Sequence, residues 1–401
     1  MPTRITYPGV DIEQSPSGVH TITGVKTSVA AFIDIFKQGP MNKAVKILNI
    51  QDFEHEFGGL DSKSEASYAI EQFFLNGGSE AWVVRIGDIG SPPKSSAIIG
   101  SLKDKSGIYA LEDVDFNILS IPLTATITKT NIKEGLTPKN ASAVIAAAIN
   151  YCEKRHAFYI IDTPNNISDV EAIKQWLANN ASLPKKNASL YFPHVKVADP
   201  TNNYTLKSHG ASGTIAGLYA RTDATRGVWK SPAGIDATLV NVQALDYKIT
   251  NHQNDDLNTL GINCLRSFPL SGNVCWGART LDGADINSEW KYIPVRRLAL
   301  YIEESLYQGT KWVVFEPNDE PLWTQIRQSV EAFMQNLFRN GAFQGTTPSD
   351  AYFVKCDKET TTKNEITLGI VNIVVGFAPN KPAEFVFIKI QQMAGQKITE
   401  F

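Results

Sequence analysis

The stretch DSKSEASYAIEQFFLNGGSEAWVVRI, Asp61 to Ile86, changes its hydrophobic period partway along, and that change decides the fold class. Ala66, Ala69, Ile70 and Phe73, with Phe74, recur at helical spacing, which predicts a helix over about Ser62–Leu75 with one apolar side. Asp61 or Ser62 is the capping candidate at its start, and Asn76, Gly77 and Gly78 stop it. Ala81–Ile86 then reads as a strand. Working outward, Val29–Ile35 and Val45–Leu48 are two more strand-like runs, so strands and helices alternate as in an α/β fold.

The alternation continues downstream. Ser91–Gly107, rich in Pro, Gly, Ser and Lys, predicts a loop or excursion at which a split domain could open. Strands are expected at Ile118–Ile121, Phe158–Ile161, Ala188–Phe192 and His194–Val197, and helices at Asn140–Arg155, Ser168–Ala178 and Gly210–Tyr219. Parallel pairing through right-handed crossovers is the expected geometry. The last third changes character, with strands expected at Val274–Trp276 and Lys311–Phe315 and a helix at Pro294–Leu306. After Pro321, Leu322, Ile326, Val330, Phe333 and Leu337 mark one face of a helix, Gln325, Gln328, Gln335 and Arg339 lie opposite, and Gly341 ends it. Ile366–Phe377 and Glu384–Ile390 read as two long strands of a hairpin joined through Ala378–Pro382.

Both ends read as extended arms. Val10 and Ile12 alternate with Asp11 and Glu13, while Pro8, Gly9, Pro16 and Gly18 forbid a helix. No turn folds this strand back onto Val29–Phe36, so its backbone groups need another partner, such as a second chain. Gln391–Phe401 is a second free arm.

At 401 residues the chain exceeds one ordinary core, so two domains are expected. Hydrophobic residues at 43% and charged ones at 20% suit a soluble globular protein, and no apolar run is long enough to span a bilayer. A net charge of -3 with interspersed signs gives no reason to expect nucleic acid or a membrane as partner, which leaves protein. The opening MPTRITYPGVDIEQ lacks a secretory signal, so assembly in the cytoplasm is expected. Cys152, Cys264, Cys275 and Cys356 have neither metal-site nor disulfide-framework spacing and read as buried thiols.

The candidate chemistry is thin. GASGTIAG, Gly210–Gly217, is glycine-rich but lacks phosphate-loop and dinucleotide spacing, so close helix packing is the favoured reading. Asp282 and Asp285 in LDGAD, with Glu289, read as a turn with exposed acids because no calcium-loop spacing follows. His20, His55, His156, His194, His209 and His252 form no paired ligand motif. Asp319 and Glu320 suit the positive end of the helix that follows. No catalytic, metal or cofactor residue is therefore assigned.

Several long stretches together carry a resemblance. SFPLSGNVCWGARTLDG (267–283), SEWKYIPVRRLALYIEESL (288–306), KWVVFEPNDEPLW (311–323), GAFQGTTPSDAYFVKCD (341–357) and VVGFAPNKPAEFVFIKI (374–390) resemble the C-terminal domain of contractile tail sheath proteins. YPGVDIEQ (7–14) is similar to the sheath arm. Residues 24–40, FGGLDSKS, QFFLNGG and RTDATRGVWKSPAG (221–234) also fit that family, while residues 92–204 are generic α/β. The resemblance implies a structural subunit, not an enzyme, and no cofactor. Its fold would be α/β, α+β overall: arm 1–20, outer α/β domain 21–265 with a possible insertion at 92–204, C-terminal α+β domain 266–390 with a hairpin sheet facing the tube, and arm 391–401. It implies as partners the chain itself in a helical homopolymer, the inner tail tube protein, and baseplate and cap or terminator proteins. Such sheaths belong to phage tails, bacteriocins and toxin-carrying injection systems, some of them released from the producing cell.

By the same resemblance, Tyr7, Val10, Ile12, Phe385, Phe387, Ile388 and Ile390 would contact neighbouring subunits through strand addition. Pro16, Ser17, Gly18, Ala394 and Gly395 would act as hinges, and Gln328, Gln335 and Arg339 would face the tube. Two alternatives stay open: a specialised sheath paralogue at the baseplate or cap end, and an α/β enzyme binding a phosphorylated ligand near Gly210.

Overall fold

The computed structural model describes residues 20–91, 93–126 and 138–384. All the predicted arm contacts (Tyr7, Val10, Ile12, Phe385, Phe387, Ile388, Ile390) and hinges (Pro16, Ser17, Gly18, Ala394, Gly395) lie outside the described residues. So does nearly all of the expected strand Glu384–Ile390.

The first third runs β1 (Ala30–Phe36), β2 (Ala44–Ile47), α1 (Ile50–Phe57), α2 (Glu65–Leu75), β3 (Ala81–Asp88), α3 (Ser95–Ile99) and β4 (Ile118–Ser120). The middle continues with α4 (Pro138–Lys154), β5 (Phe158–Ile161), α5 (Val170–Asn179), β6 (Ala188–Phe192), β7 (Val195–Asp199), β8 (Thr205–His209), α6 (Ser212–Arg226), β9 (Ala244–Leu245) and α7 (Asn251–Thr259). Then come β10 (Ile262–Phe268), β11 (Gly272–Cys275), α8 (Ile293–Gly309), α9 (Glu320–Arg339), α10 (Pro348–Ala351), β12 (Tyr352–Lys355), α11 (Lys363–Thr367) and β13 (Val374–Phe377).

Eight strands form one sheet in the order β11-β10-β6-β5-β4-β1-β3-β2. Its six central strands are parallel, and the edge strands β2 and β11 are each antiparallel to their neighbour. Central parallel strands must be covered on both faces, which is why β1, β5 and β6 are buried at every position. One face packs Ile33, Tyr159 and Leu190 under Val144, Ala148 and Ile149 of α4 and Ile173 of α5. The other packs Phe32, Phe158 and Tyr191 under Phe73 of α2 and Ile215 and Tyr219 of α6. β7, β8 and β9 make a small antiparallel sheet beside this body.

A third core belongs to the C-terminal unit, where α9 buries Leu322, Ile326, Val330, Phe333 and Leu337 as its period predicts, together with Trp323 and Met334. α8 joins this unit to the body: Ile293 and Leu300 face the body core, while Leu298 and Ile302 face the third core. Its two buried arginines tighten the joint. Arg297 makes a two-pronged pair with Asp223 at 2.7 and 2.9 Å, both side chains 4% exposed, and also donates to Thr27 O. Arg296 reaches Asn187 Oδ1 of the body at 2.8 Å and Glu303 on its own helix at 3.0 Å.

Two expected strands fail. Lys311–Phe315 is not a strand: Lys311–Val313 form a 3-10 turn, with Val313 N donating to Thr310 O, and Phe315 is at φ 75°. The β-branched run has no neighbouring strand, and Pro317 closes it off. Ile366–Phe377 is extended only from Val374. A capping box of Thr362 and Glu365 nucleates α11, and Gly369 at φ 73° follows it. The described partner of β13 is β12, antiparallel, with Tyr352 opposite Phe377 and Lys355 opposite Val374. Ser91–Gly107 is likewise not all loop, because α3 lies within it.

Candidate assembly site

A doubly wound sheet offers its ligand crevice at the carboxyl ends of the strands where the winding reverses. Here that point lies between β1 and β4, since the chain passes from β1 to β3 on one side and then to β4 on the other. The glycine-rich GASGTIAG opens α6 beside Asp162, which follows β5. Its helix-start amide is already engaged: Ser212 N donates to Asp162 Oδ1 at 2.8 Å, Ser212 Oγ donates to Asp162 Oδ2, and Ser120 Oγ donates to Ser212 Oγ at 2.7 Å. Asp34 does the same for α2, accepting from Ala66 N at 2.7 Å and from Ile35 N at 2.7 Å.

Two buried side-chain carboxyl groups thus take the helix-start amides that a bound phosphate would otherwise take. Burial raises both carboxyl pKa values against the lowering effect of these hydrogen bonds, Asp34 to about 8 and Asp162 to about 6. The glycines serve packing. A Cβ on Gly213 would lie 2.1 Å from Ala69 O and one on Gly217 2.5 Å from Phe73 O, so α6 sits directly against α2.

The other candidate chemistry is structural as well. Asp282 lies in a 3-10 turn that Asp285 closes, and just beyond it Ser288 Oγ donates to Asp282 and Asn287 N to Asp285. Asp319 caps α9 by accepting from Leu322 N at 3.2 Å. His194 and His209 are buried on Thr163 and Glu65, His156 pairs with Glu304, and His20 stacks on Trp312 at 3.9 Å. All four cysteines are buried, and burial raises their thiol pKa values, that of Cys356 to about 11. Among the described residues no cluster of three His, Cys, Asp or Glu could hold a metal ion, and no helix is long and apolar enough to cross a membrane.

The open part of the molecule is the C-terminal unit. β12 and β13 form a sheet of only two strands, and no other described strand pairs with either. Tyr352, Val354, Val375 and Phe377 turn inward onto the third core, which leaves Phe353 50% and Val374 43% exposed on the outer face. The tube candidates share one side of α9. Gln328 and Arg339 are exposed, whereas Gln335 is half-buried and accepts from Tyr352 Oη of β12 at 2.8 Å.

The first described residues lie at this unit and the last at the body. At one end His20 lies on Trp312, Ile22 enters the third core, and Val25 N donates to Ser305 Oγ of α8 at 3.1 Å. At the other, residues 378–384 leave β13 and return to the body, where Glu384 meets Arg279 and Tyr292. Sequence reasoning assigned these three residues no role, although each lies in a stretch that carried the resemblance.

Comparison with known proteins agrees along the chain. Residues 99–281 match the phage tail sheath protein central domain, and residues 285–393 the phage tail sheath C-terminal domain. A prophage chain of Pseudomonas aeruginosa strain UCBPP-PA14, named as a major tail sheath protein, is 26% identical over 394 residues, 94% of each chain. The fold is similar to a chain of the anti-feeding prophage helical sheath in its contracted state, with a TM-score of 0.74 and 27% identity over 97% of this chain and 100% of that one. A chain of the six-fold symmetrised anti-feeding prophage baseplate gives 0.73 and 27% over 98% and 100%. With a closed α/β body, an open C-terminal sheet and matches to both sheath domains, the chain belongs to the phage tail sheath family.

Proposed function

We propose that the chain is the repeating structural subunit of a contractile tail sheath, whose copies stack as helical rings around an inner tube and contract to drive that tube through a target envelope. The observation that carries this reading is the two-stranded β12–β13 sheet, with no further described strand on either edge and with Phe353 and Val374 exposed on its outer face. Two strands alone are marginally stable in water, and open edges are templates for strands from elsewhere. Arms carrying Tyr7, Val10 and Ile12 at one end and Phe385, Phe387, Ile388 and Ile390 at the other would complete this sheet in neighbouring copies. Pro16, Ser17, Gly18, Ala394 and Gly395 would absorb the change in direction on contraction, while α8 keeps each body rigid.

In this reading the C-terminal unit, within residues 266–390, faces the tube and the α/β body lies outside, with Gln328, Gln335 and Arg339 on the tube side. Tube, baseplate and cap proteins are the partners, and assembly takes place in the producing cell. Electron microscopy of the purified chain tests the reading: rings or tubular polymers are expected, and deletion of residues 1–14 is expected to leave folded monomers. Normal polymers from the truncated chain would refute arm exchange.

One observation favours a second reading. The likeness to a baseplate chain is as close as that to a helical sheath chain, which suits a subunit placed only at one end of the sheath. Few copies per particle, counted by quantitative mass spectrometry, would select it.

A further inference from the structure

The connection that leads from β13 towards the C-terminus is held at two points. Near its start Asn380 Nδ2 donates to Gly341 O at 2.8 Å and Phe343 O at 3.2 Å, which fixes it to the C-terminal unit. Four residues later Glu384 is fixed to the body. Arg279 Nε donates to Glu384 Oε1 at 2.7 Å, Arg279 Nη2 to Glu384 Oε2 at 2.6 Å, and Tyr292 Oη to Glu384 Oε2 at 3.1 Å. Between these points Lys381 and Ala383 are exposed, and the connection borders a cavity of about 740 Å3 that Trp229, Arg266 and Trp276 also line. Among the described contacts of residues 381–384, the bonds of Arg279 and Tyr292 to Glu384 attach this crossing to the body.

The Arg279 end is rigid. The Arg279 side chain is 7% exposed, its Nη1 donates to Asn258 O at 2.7 Å, and Asn263 holds both Arg279 backbone groups at 2.7 Å. A two-pronged arginine–carboxylate pair fixes direction as well as distance, because both N–H bonds must align.

We propose that Arg279, with Tyr292, is the anchor that sets where and in which direction the segment beyond residue 384 leaves the molecule. Its root is then fixed to the α/β body. Opening the anchor would return the root to Asn380 and add four residues of slack, about 13 Å of reach at full extension. A longer, undirected tether lowers the effective concentration of the tail at its acceptor. Arg279, Tyr292 and Glu384 are thus positioning residues for the donated tail. This inference rests on the reading of the tail as a strand given to a neighbour.

The test uses the full chain, the double variant Arg279→Met/Glu384→Met, the single variant Glu384→Gln, and a chain ending at Glu384. The double variant matters because it removes both charges and leaves no unpaired buried arginine, so an effect of charge burial on folding is relieved while the anchor stays lost. Spin labels at Ala383→Cys and His252→Cys report the root position against the body. The double variant is expected to unfold near the parental temperature, to widen the distance distribution at least about twofold, and to lower polymer yield about tenfold. An unchanged distribution, or a widened one with parental polymer yield, overturns the anchor. Loss of polymer in Glu384→Gln alone, restored in the double variant, assigns the pair to folding stability and overturns it too. Polymerisation of the chain ending at Glu384 would refute tail donation itself, while the label distances still decide whether the pair fixes the root.

Discussion

The α/β body and the C-terminal unit follow opposite rules in one chain. In the body every central strand has two neighbours, both sheet faces are covered, and Asp34 and Asp162 hold the helix-start amides of α2 and α6. In the C-terminal unit a two-stranded sheet leaves apolar side chains on its outer face, and Phe315 stands fully exposed at the end of a 3-10 turn. A closed region keeps its shape by itself; an open one needs a neighbour. In the proposed reading, rigid subunits joined through the β12–β13 sheet would let a sheath slide into a new packing without coming apart.

The largest effect that would break this comparison lies at the joint. Asp223→Ala would strand Arg297 as a buried, uncompensated charge between body and C-terminal unit, and should cost about 3–5 kcal/mol in urea unfolding of the monomer. A loss below about 1 kcal/mol would mean that the two units are not locked through α8.

Next comes acid–base behaviour inside the body. Asp34 titrates near 8 when folded, while an unfolded aspartate titrates near 3.9. The folded state therefore holds a proton that the unfolded state has released, so the stability from this group is complete below about pH 4 and declines up to about pH 8. Asp34→Asn should flatten that decline in a series of unfolding curves; an unchanged slope would place the titration elsewhere.

The smallest effect on the monomer, and the sharpest contrast, is at the open sheet. Phe353→Ser with Val374→Thr should change monomer stability by about 0.5 kcal/mol or less, because both side chains are roughly half exposed. The same pair should abolish polymers in the microscope. A large loss of monomer stability would mean that the outer face is part of the subunit's own core.

The difference between the two regions also governed what could be read in advance. Phe158–Ile161 and Ala188–Phe192 are strands over their full expected length, because a buried parallel strand writes itself as an unbroken apolar run. α9 was equally plain from its period. Local signals that went unread cost helices such as α1 and α7: Asn49 accepting from Asp52 N starts α1, and the capping box of Thr250 and Gln253 starts α7. Lys311–Phe315 misled because its residues suit a strand, yet no strand lies beside it.

Composition, period and capping chemistry thus determined the α/β body, the amphipathic face of α9 and the role of Asp319, since each depends on residues close together in the chain or on simple burial. Only tertiary structure decided that β13 pairs with β12, that α8 belongs to two cores, and that Arg279 and Glu384, 105 residues apart, hold the exit of the chain. The physical reason is common to all three. Pairing across long separations is chosen by the complementarity of surfaces after they form, and no local period records which surface will be the neighbour.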